Sequence, residues 1–300
     1  MELRQLKYFT RVAELMNFSE ASRQLHITQS TLSQQIRQLE AELGVELFIR
    51  DSHHVRLTDI GEAFLPEARR TISAAETCYS RIQDVKGLEV GELNIGSTYT
   101  FLPLLKETVL DFYKTHPKIK INLYCHSMET LMKMVNEEKI DVALSYKPNE
   151  SYPGIDSHIL FDNRLVVAVS ETNPIAKKSS IRLPELEGLP LAMPAKGLQA
   201  RNCFDRLVCG QDYRFNVKLE VNEVNLLLDI VRESNMATVI SHATVARVPG
   251  LKALTLDTQG TSMEGAFNVR KGAYMKLATK EFLRLLCENK SYSMALMELF

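Results

Sequence analysis

The chain holds 300 residues, 45% of them hydrophobic, which allows a small domain plus a larger one and a sizeable core. Lys and Arg number 36 against 37 Asp and Glu; the net charge of −1 excludes a polybasic nucleic-acid coat and an acidic tail, but not DNA binding through a short specific element. Five scattered cysteines (78, 125, 203, 209, 287) show neither metal-ligand spacing nor a disulfide framework, and charges run through MELRQLKYF where a signal core would lie. With no membrane-spanning stretch, the expected compartment is a reducing cytoplasm.

Leu3, Leu6, Phe9, Val12 and Ala13 recur at helical spacing and predict a first helix. Asn17-Phe18-Ser19 interrupts it. Ser19 is expected to cap a short second helix over 20–25, a tight turn follows at His26-Ile27, and Thr28 is expected to cap a third helix. In that third helix Leu32, Ile36, Leu39 and Leu43 make a buried stripe, while Gln29, Ser30, Ser33, Gln34 and Arg37 share the other face. Gln can bond adenine in two places, Arg can bond guanine, and Ser serves a base or a phosphate. A short helix, a turn and a polar-faced helix form a helix-turn-helix. A solvated face in a generic three-helix bundle would look the same. Charge does not separate the two, because residues 1–60 hold seven Lys/Arg and eight Asp/Glu.

Residues 3–61 resemble the N-terminal domain of the LysR-type transcriptional regulators. The similarity runs through LRQLKYFTRVAELMNFSEASRQLHITQSTLSQQIRQLEAELGVELFIR and VRLTDIG, and TQSTLSQQIRQLEAELGVELF is specific to that family. The resemblance implies a winged helix-turn-helix over residues 1–58, with a wing at Leu47–Leu57. It implies DNA contacts from Thr28, Gln29, Ser30, Ser33, Gln34 and Arg37, with Arg50 and Arg56 near the wing. Thr31 stands where the family has Pro or Ala, and Ile60 where Ala precedes Gly61. His53 replaces a common Arg, which puts one wing contact in doubt; His53 and His54 read as solvated loop histidines.

After Thr58, Leu65, Ala68, Ile72, Ala75, Tyr79 and Ile82 keep an a/d heptad seam, and 59–90 is expected to be a linker helix ending in a hinge from Lys86-Gly87 to Gly91. A narrow seam faces another helix, either within the chain or across a dimer; a dimer suits paired half-sites, and the resemblance implies one.

From 91 to 300 strands alternate with helices. Strands are expected at 93–96, 119–124, 141–145, 165–169, 189–193, 217–221, 237–241 and 267–270. Helices are expected at 101–113, 130–138, 226–233 and 279–288. GELNIGS, KIDVALSY, LFDNRLVVAVSETNPIA and SNMATVIS resemble the family's effector-binding domain, an α/β pair of lobes similar to periplasmic solute-binding proteins. The usual order implies lobe I at 91–161 plus 266–300, lobe II at 162–265, two crossovers, and a ligand between the lobes. Asn235 stands where Gly is usual, and Asn tolerates left-handed backbone.

In α/β sheets ligands sit beyond the carboxyl ends of strands, against helix N-termini. That points to Ser97, Thr98 and Thr100, and to Ser127, Met128 and Thr130, as an effector site, unless these hydroxyls only cap helices. Arg201, in the loop the resemblance indicates, would pair with a carboxylate unless engaged in a salt bridge. Asn222 and Ser241 are further candidates, and Tyr99, Met128 and Tyr146 would supply apolar walls.

Cys203 and Cys209 raise a redox alternative, but Gln199 holds the position of the peroxide-reactive thiol of sensing relatives. No catalytic motif, metal set or cofactor motif stands out. A solute-binding protein would share 91–300 but would lack residues 1–61. The expected protein is a LysR-type regulator. It would bind operator DNA as a homodimer and, by resemblance, a homotetramer. Its further partners would be a small, anionic effector and RNA polymerase.

Overall fold

The computed structural model describes residues 1–50, 55–85, 90–148, 152–246 and 248–288. Two compact units emerge, Met1–Gly87 and Leu88–Phe300.

The first unit strings together α1 (Leu3–Leu15), α2 (Phe18–Gln24), α3 (Gln29–Leu43), β1 (Phe48–Arg50), β2 (Val55–Leu57) and α4 (Asp59–Val85). Leu6, Phe9, Val12, Phe18, Leu32, Ile36, Leu39 and Phe48 close a single core. Phe9 meets Phe48 and Phe64 at centroid distances of 5.4 and 5.2 Å. The cap of α2 differs from expectation: Asn17 accepts from Glu20 N at 3.0 Å, so the helix starts before Ser19. Ser19 instead donates to Gln29 Oε1 at 2.9 Å, tying α2 to the start of α3. Thr28 caps α3 by accepting from Thr31 N. Gly44 ends it in left-handed backbone, φ 69°, which glycine adopts without steric cost.

β1 and β2 pair antiparallel, Phe48 opposite Leu57, within the expected wing. One Glu40 oxygen accepts from Leu47 N (3.0 Å) and Phe48 N (3.2 Å), fastening the wing to α3. At Gly61, a Cβ would lie 2.2 Å from the Leu47 carbonyl oxygen, so only glycine lets α4 pass the wing this closely. His53 and His54 lie outside the described residues.

The heptad seam on α4 divides, which corrects the six-residue dimer stripe. Ala68 is 1% exposed in this unit's own core, and Leu65 and Ile72 pack against that core. Ion pairs from Lys7 to Glu76 (3.3 Å) and Arg69 to Glu14 (3.4 Å) reinforce the contact with α1. Beyond Ala75 the seam is bare: Tyr79 is 66% and Ile82 57% exposed.

The second unit runs through β3 (Gly91–Ser97), α5 (Leu102–Thr115), β4 (Ile119–Cys125), α6 (Met128–Asn136), β5 (Val142–Tyr146) and β6 (Ile155–Ser170). Then come β7 (Ser180–Ile181), β8 (Pro190–Pro194), α7 (Gln199–Leu207), β9 (Asn216–Val221), α8 (Val224–Arg232) and β10 (Ala237–Ser241). It ends with α9 (His242–Val245), β11 (Leu251–Leu256), β12 (Ser262–Arg270) and α10 (Leu277–Glu288). Hydrogen bonding runs in the order β4-β3-β5-β12-β6-β10-β8-β9, with β11 joining β6 to β7. β3 lies between β4 and β5 and is parallel to both, and β8 is parallel to both β9 and β10.

β6 joins the two parallel sets. Residues 155–164 pair with β12, and 165–170 pair with β10 and β11. The change of partner therefore falls between Arg164 and Leu165, and the returning strand opens at Ser262. Gly265 marks a register shift on β12, where a Cβ would lie 2.5 Å from the Phe161 ring. Among the described residues no helix is long and apolar enough to cross a membrane, and no group of His, Cys, Asp and Glu could hold a metal ion.

Candidate functional site

The first candidate surface is the outer face of α3. Leu32, Ile36 and Leu39 are fully buried, so the helix must turn its other side outward. Gln29, Ser30, Gln34 and Arg37 are exposed and Ser33 is half-buried. Thr28 Oγ1 lies 2.9 Å from Ser30 Oγ and 2.8 Å from Thr31 Oγ1. No acid enters the helix before Glu40, and that carboxylate is turned to the wing amides. Glu20 pairs with Arg23 at 2.7 Å and Glu14 with Arg11 at 3.0 Å, on other helices. Glu14, Glu20 and Glu40 are thus each engaged with partners of their own. Arg56 is exposed on β2; the side chain of Arg50 lies outside the described residues.

The second candidate is a cavity of about 270 Å³ in the larger unit. Carboxyl ends of five strands open onto it. β3 contributes Thr98, Tyr99 and Thr100; β4 contributes His126, Ser127 and Met128; β8, β9 and β10 bring Pro194, Asn222 and Ile240. Gly197, Leu198, Gln199 and Ala200 at the start of α7, with Val224 and Thr244, complete the wall. Thr244 and Thr100 hydroxyls approach to 3.4 Å, one from each parallel set.

Polar groups here are incompletely satisfied. Thr98 Oγ1 and Gln199 Nε2 are buried and have no hydrogen-bond partner. An unpaired buried donor costs about 1–3 kcal/mol. The caps differ as well. Ser127 Oγ accepts from Thr130 N at the start of α6, whereas Leu198 leaves the first turn of α7 without a side-chain cap.

Several expected contacts lie elsewhere. Arg201 is 9% exposed, and its guanidinium is committed: Nε reaches Asp205 Oδ1 at 2.8 Å, and one terminal nitrogen reaches Glu220 Oε1 at 2.8 Å and Pro194 O at 3.1 Å. The hydrogen bond from Arg201 holds the Glu220 carboxyl below the usual carboxylate range. Arg201 therefore braces α7 against β8 and β9 and does not line the cavity. Ser97 is fully buried and donates to Thr98 O, and Ser241 is bonded to Thr244 Oγ1 at 2.6 Å. Thr130 is exposed beside its capping partner Ser127. Tyr146 is buried and bonded through its hydroxyl to Asn163 Nδ2. None of these four lines the cavity. His126, Gln199 and Thr244 were not anticipated; all three directly follow or closely trail a strand's carboxyl end, the signal that would have found them.

A second cavity, about 290 Å³, shares Gln199 and is otherwise walled by Tyr146, Lys147, Pro148, Cys203, Arg206, Ser262, Met263 and Glu264. Lys147 and Glu264 pair across it at 3.0 Å. Cys203 and Cys209 are both free thiols, and burial pushes the Cys203 thiol up against the opposing influence of Arg206. A thiol held neutral is a poor nucleophile, which weighs against the redox alternative.

Residues 3–62 match the model of the bacterial regulatory helix-turn-helix proteins of the lysR family, and residues 86–290 match the LysR substrate binding domain. A probable cat1 operon transcriptional activator from Acinetobacter lwoffii is 32% identical over 239 residues, covering 77% of each chain. The transcriptional regulator AlsR of Bacillus subtilis is 32% identical over 237 residues, again 77% of each. Full-length OxyR of Pseudomonas aeruginosa has the same fold, with a TM-score of 0.73 at 21% identity over 96% of this chain and 94% of that one. With an exposed polar recognition helix in one unit and a cavity between two parallel strand sets in the other, the chain belongs to the LysR family of DNA-binding transcriptional regulators with an effector-binding domain.

Proposed function

We propose that the α3 face reads a partly palindromic operator, with Gln29, Gln34 and Arg37 on base edges and Thr28, Ser30, Ser33, Arg50 and Arg56 on bases or phosphates. The working segments are 1–58 for DNA, 59–90 for dimerisation and 91–300 for the effector, with lobes meeting along β6 and β12. The protein acts in the cytoplasm by binding and not by catalysis, as a dimer that pairs into a tetramer and meets RNA polymerase at the promoter. A small molecule, anionic at one end, enters the cavity beside Thr98, Thr100, Ser127, Met128 and Asn222. Its effect on promoter geometry requires different affinities for two arrangements of the lobes.

The observation that carries the effector reading is a cavity of about 270 Å³ at the carboxyl ends of five strands, walled by Thr98, Thr100, Ser127 and Asn222 and by the start of α7, which has no side-chain cap. DNase footprinting on the DNA upstream of the protein's own gene tests the operator reading. Protection across several helical turns is expected. Arg37→Ala should weaken that binding by roughly 1–3 kcal/mol and relax preference at one base position; unchanged affinity and preference would remove Arg37 from the readout.

A further inference from the structure

We infer that Ser19 is a positioning residue for operator readout: it holds the Gln29 amide by its oxygen, so that Gln29 meets the major groove with its NH2 end and selects guanine over adenine. This rests on the reading of the α3 face as the operator-binding surface and narrows it to one base position in each half-site.

Gln29 is the first residue of α3, and Ser19 is the second residue of α2. Ser19 Oγ donates to Gln29 Oε1 at 2.9 Å, and both residues are exposed. The anchor sits on a fixed turn of helix. Phe18 beside it is buried, its ring edge-on to Phe48 at a centroid distance of 5.6 Å. Asn17 already caps α2 through Glu20 N, so the Ser19 hydroxyl is not needed for the cap. Neighbouring hydroxyls do not compete for Gln29 either: Thr28 Oγ1 lies against Ser30 Oγ and Thr31 Oγ1 at 2.9 and 2.8 Å.

What the amide can offer a base follows from this bond. Both hydrogens of Gln29 Nε2 are open among the described residues, whereas a base donor approaching Oε1 must share that oxygen with Ser19. Guanine presents two acceptors, N7 and O6, on its major-groove edge. Adenine presents N7 beside the N6 amino group, a donor that meets the Gln29 NH2 with like polarity. A Gln free to turn reads adenine through both of its ends; one tied by its oxygen is matched to guanine. Gln34 is the contrast within α3: it is exposed, and its amide is bonded to no protein group among the described residues. The Ser19 bond also orders one long side chain before DNA arrives, so less rotamer freedom is lost on binding.

Selection of duplexes from a library with randomised half-sites, using the full chain and its variants, reads this preference base by base. The parent should favour guanine over adenine by about tenfold at one position of each half-site. Ser19→Ala should cut that ratio to about threefold or less and leave the other positions as they were. Ser19→Thr, which keeps the hydroxyl, should hold the parent ratio. Gln29→Ala should erase the preference, and adding Ser19→Ala to it should change nothing further. Melting temperatures of the Ser19 variants should match the parent's, because Ser19 is exposed and the cap of α2 is Asn17.

An adenine preference, or none between the two purines, at every position that Gln29→Ala alters would overturn the inference. A uniform loss of affinity in Ser19→Ala with the base ranking intact would place Ser19 on a phosphate and overturn it as well. A ranking in Gln29→Ala identical to the parent's would overturn it by taking Gln29 out of base readout, and would leave the operator reading standing. Failure of the parent to enrich any duplex would overturn the operator reading itself, and the inference with it.

Discussion

Arg201 shows how a side chain chosen for its charge can be committed elsewhere. It sits two residues after Gln199, a cavity residue, yet α7 turns it to the opposite side, where two carboxylates and the Pro194 carbonyl take up its donors. Arg201→Gln is therefore expected to cost about 1–3 kcal/mol of stability in thermal melts, the scale for hydrogen bonds to a charged group. Ligand affinity in the cavity should stay within about twofold. A variant that melts like the parent but loses ligand would return Arg201 to the pocket. Gln199 is the reverse case: an ordinary amide in the sequence, whose buried Nε2 lacks any partner once the fold is formed.

Among the elements, α4 does two jobs along one stripe. Its first turns complete the helix-turn-helix core through Leu65, Ala68 and Ile72; its later turns leave Tyr79 and Ile82 exposed. Pro66 lies within the helix and lacks the N–H that would bond back to residue 62. If the exposed half is the dimer contact, Tyr79→Asp combined with Ile82→Asp should dissociate the dimer in sedimentation while the folded helix content holds. Ala68→Asp should instead unfold the N-terminal unit, because it buries an unpaired carboxylate. A dimer that survives the double substitution would place the two-fold contact on another surface.

Across the described residues of the molecule, three carboxyls are held below their ordinary range. Lys178 draws Glu185 down to about 2, and Arg201 and Arg284 lower Glu220 and Glu281. Their folded-state values lie below the ordinary 4.5, so the unfolded chain binds more protons as pH falls. The stability they contribute is fully present above that ordinary value and is lost as pH drops from 4.5 toward about 2. Melting temperature should therefore be flat from neutral pH to about pH 5 and decline below it, with a slope that shrinks in high salt because the carboxylates of these pairs remain in contact with solvent. A melting temperature that rises on acidification would contradict the assignment.

The sequence by itself determined the local alphabet of this protein. Spacing of Leu32, Ile36 and Leu39 oriented α3, and the polar face it exposes is the one read from the sequence. Strand and helix alternation announced the α/β unit, and runs such as Ala237–Ser241 match in full because a buried strand is written in consecutive apolar residues. Boundaries were less legible where capping chemistry had two candidates, as at Asn17 and Ser19. The 16-residue strand β6 was visible only in its apolar second half, since its first half is mostly half-buried or exposed. β11 went unseen because its buried residues, Leu251, Leu254 and Leu256, do not keep the strand period of two.

Only the tertiary structure decided which half of the α4 seam is free, where Arg201 turns, and which hydroxyls face an open cavity. Each depends on partners remote in the chain: α1 for Ala68, Glu220 on β9 for Arg201, and five strand ends for the site around Thr98 and Gln199. Periodicity reports which face of an element is apolar, because that follows from the geometry of its own backbone. It does not report what that face meets, because burial and hydrogen-bond satisfaction are properties of the assembled fold.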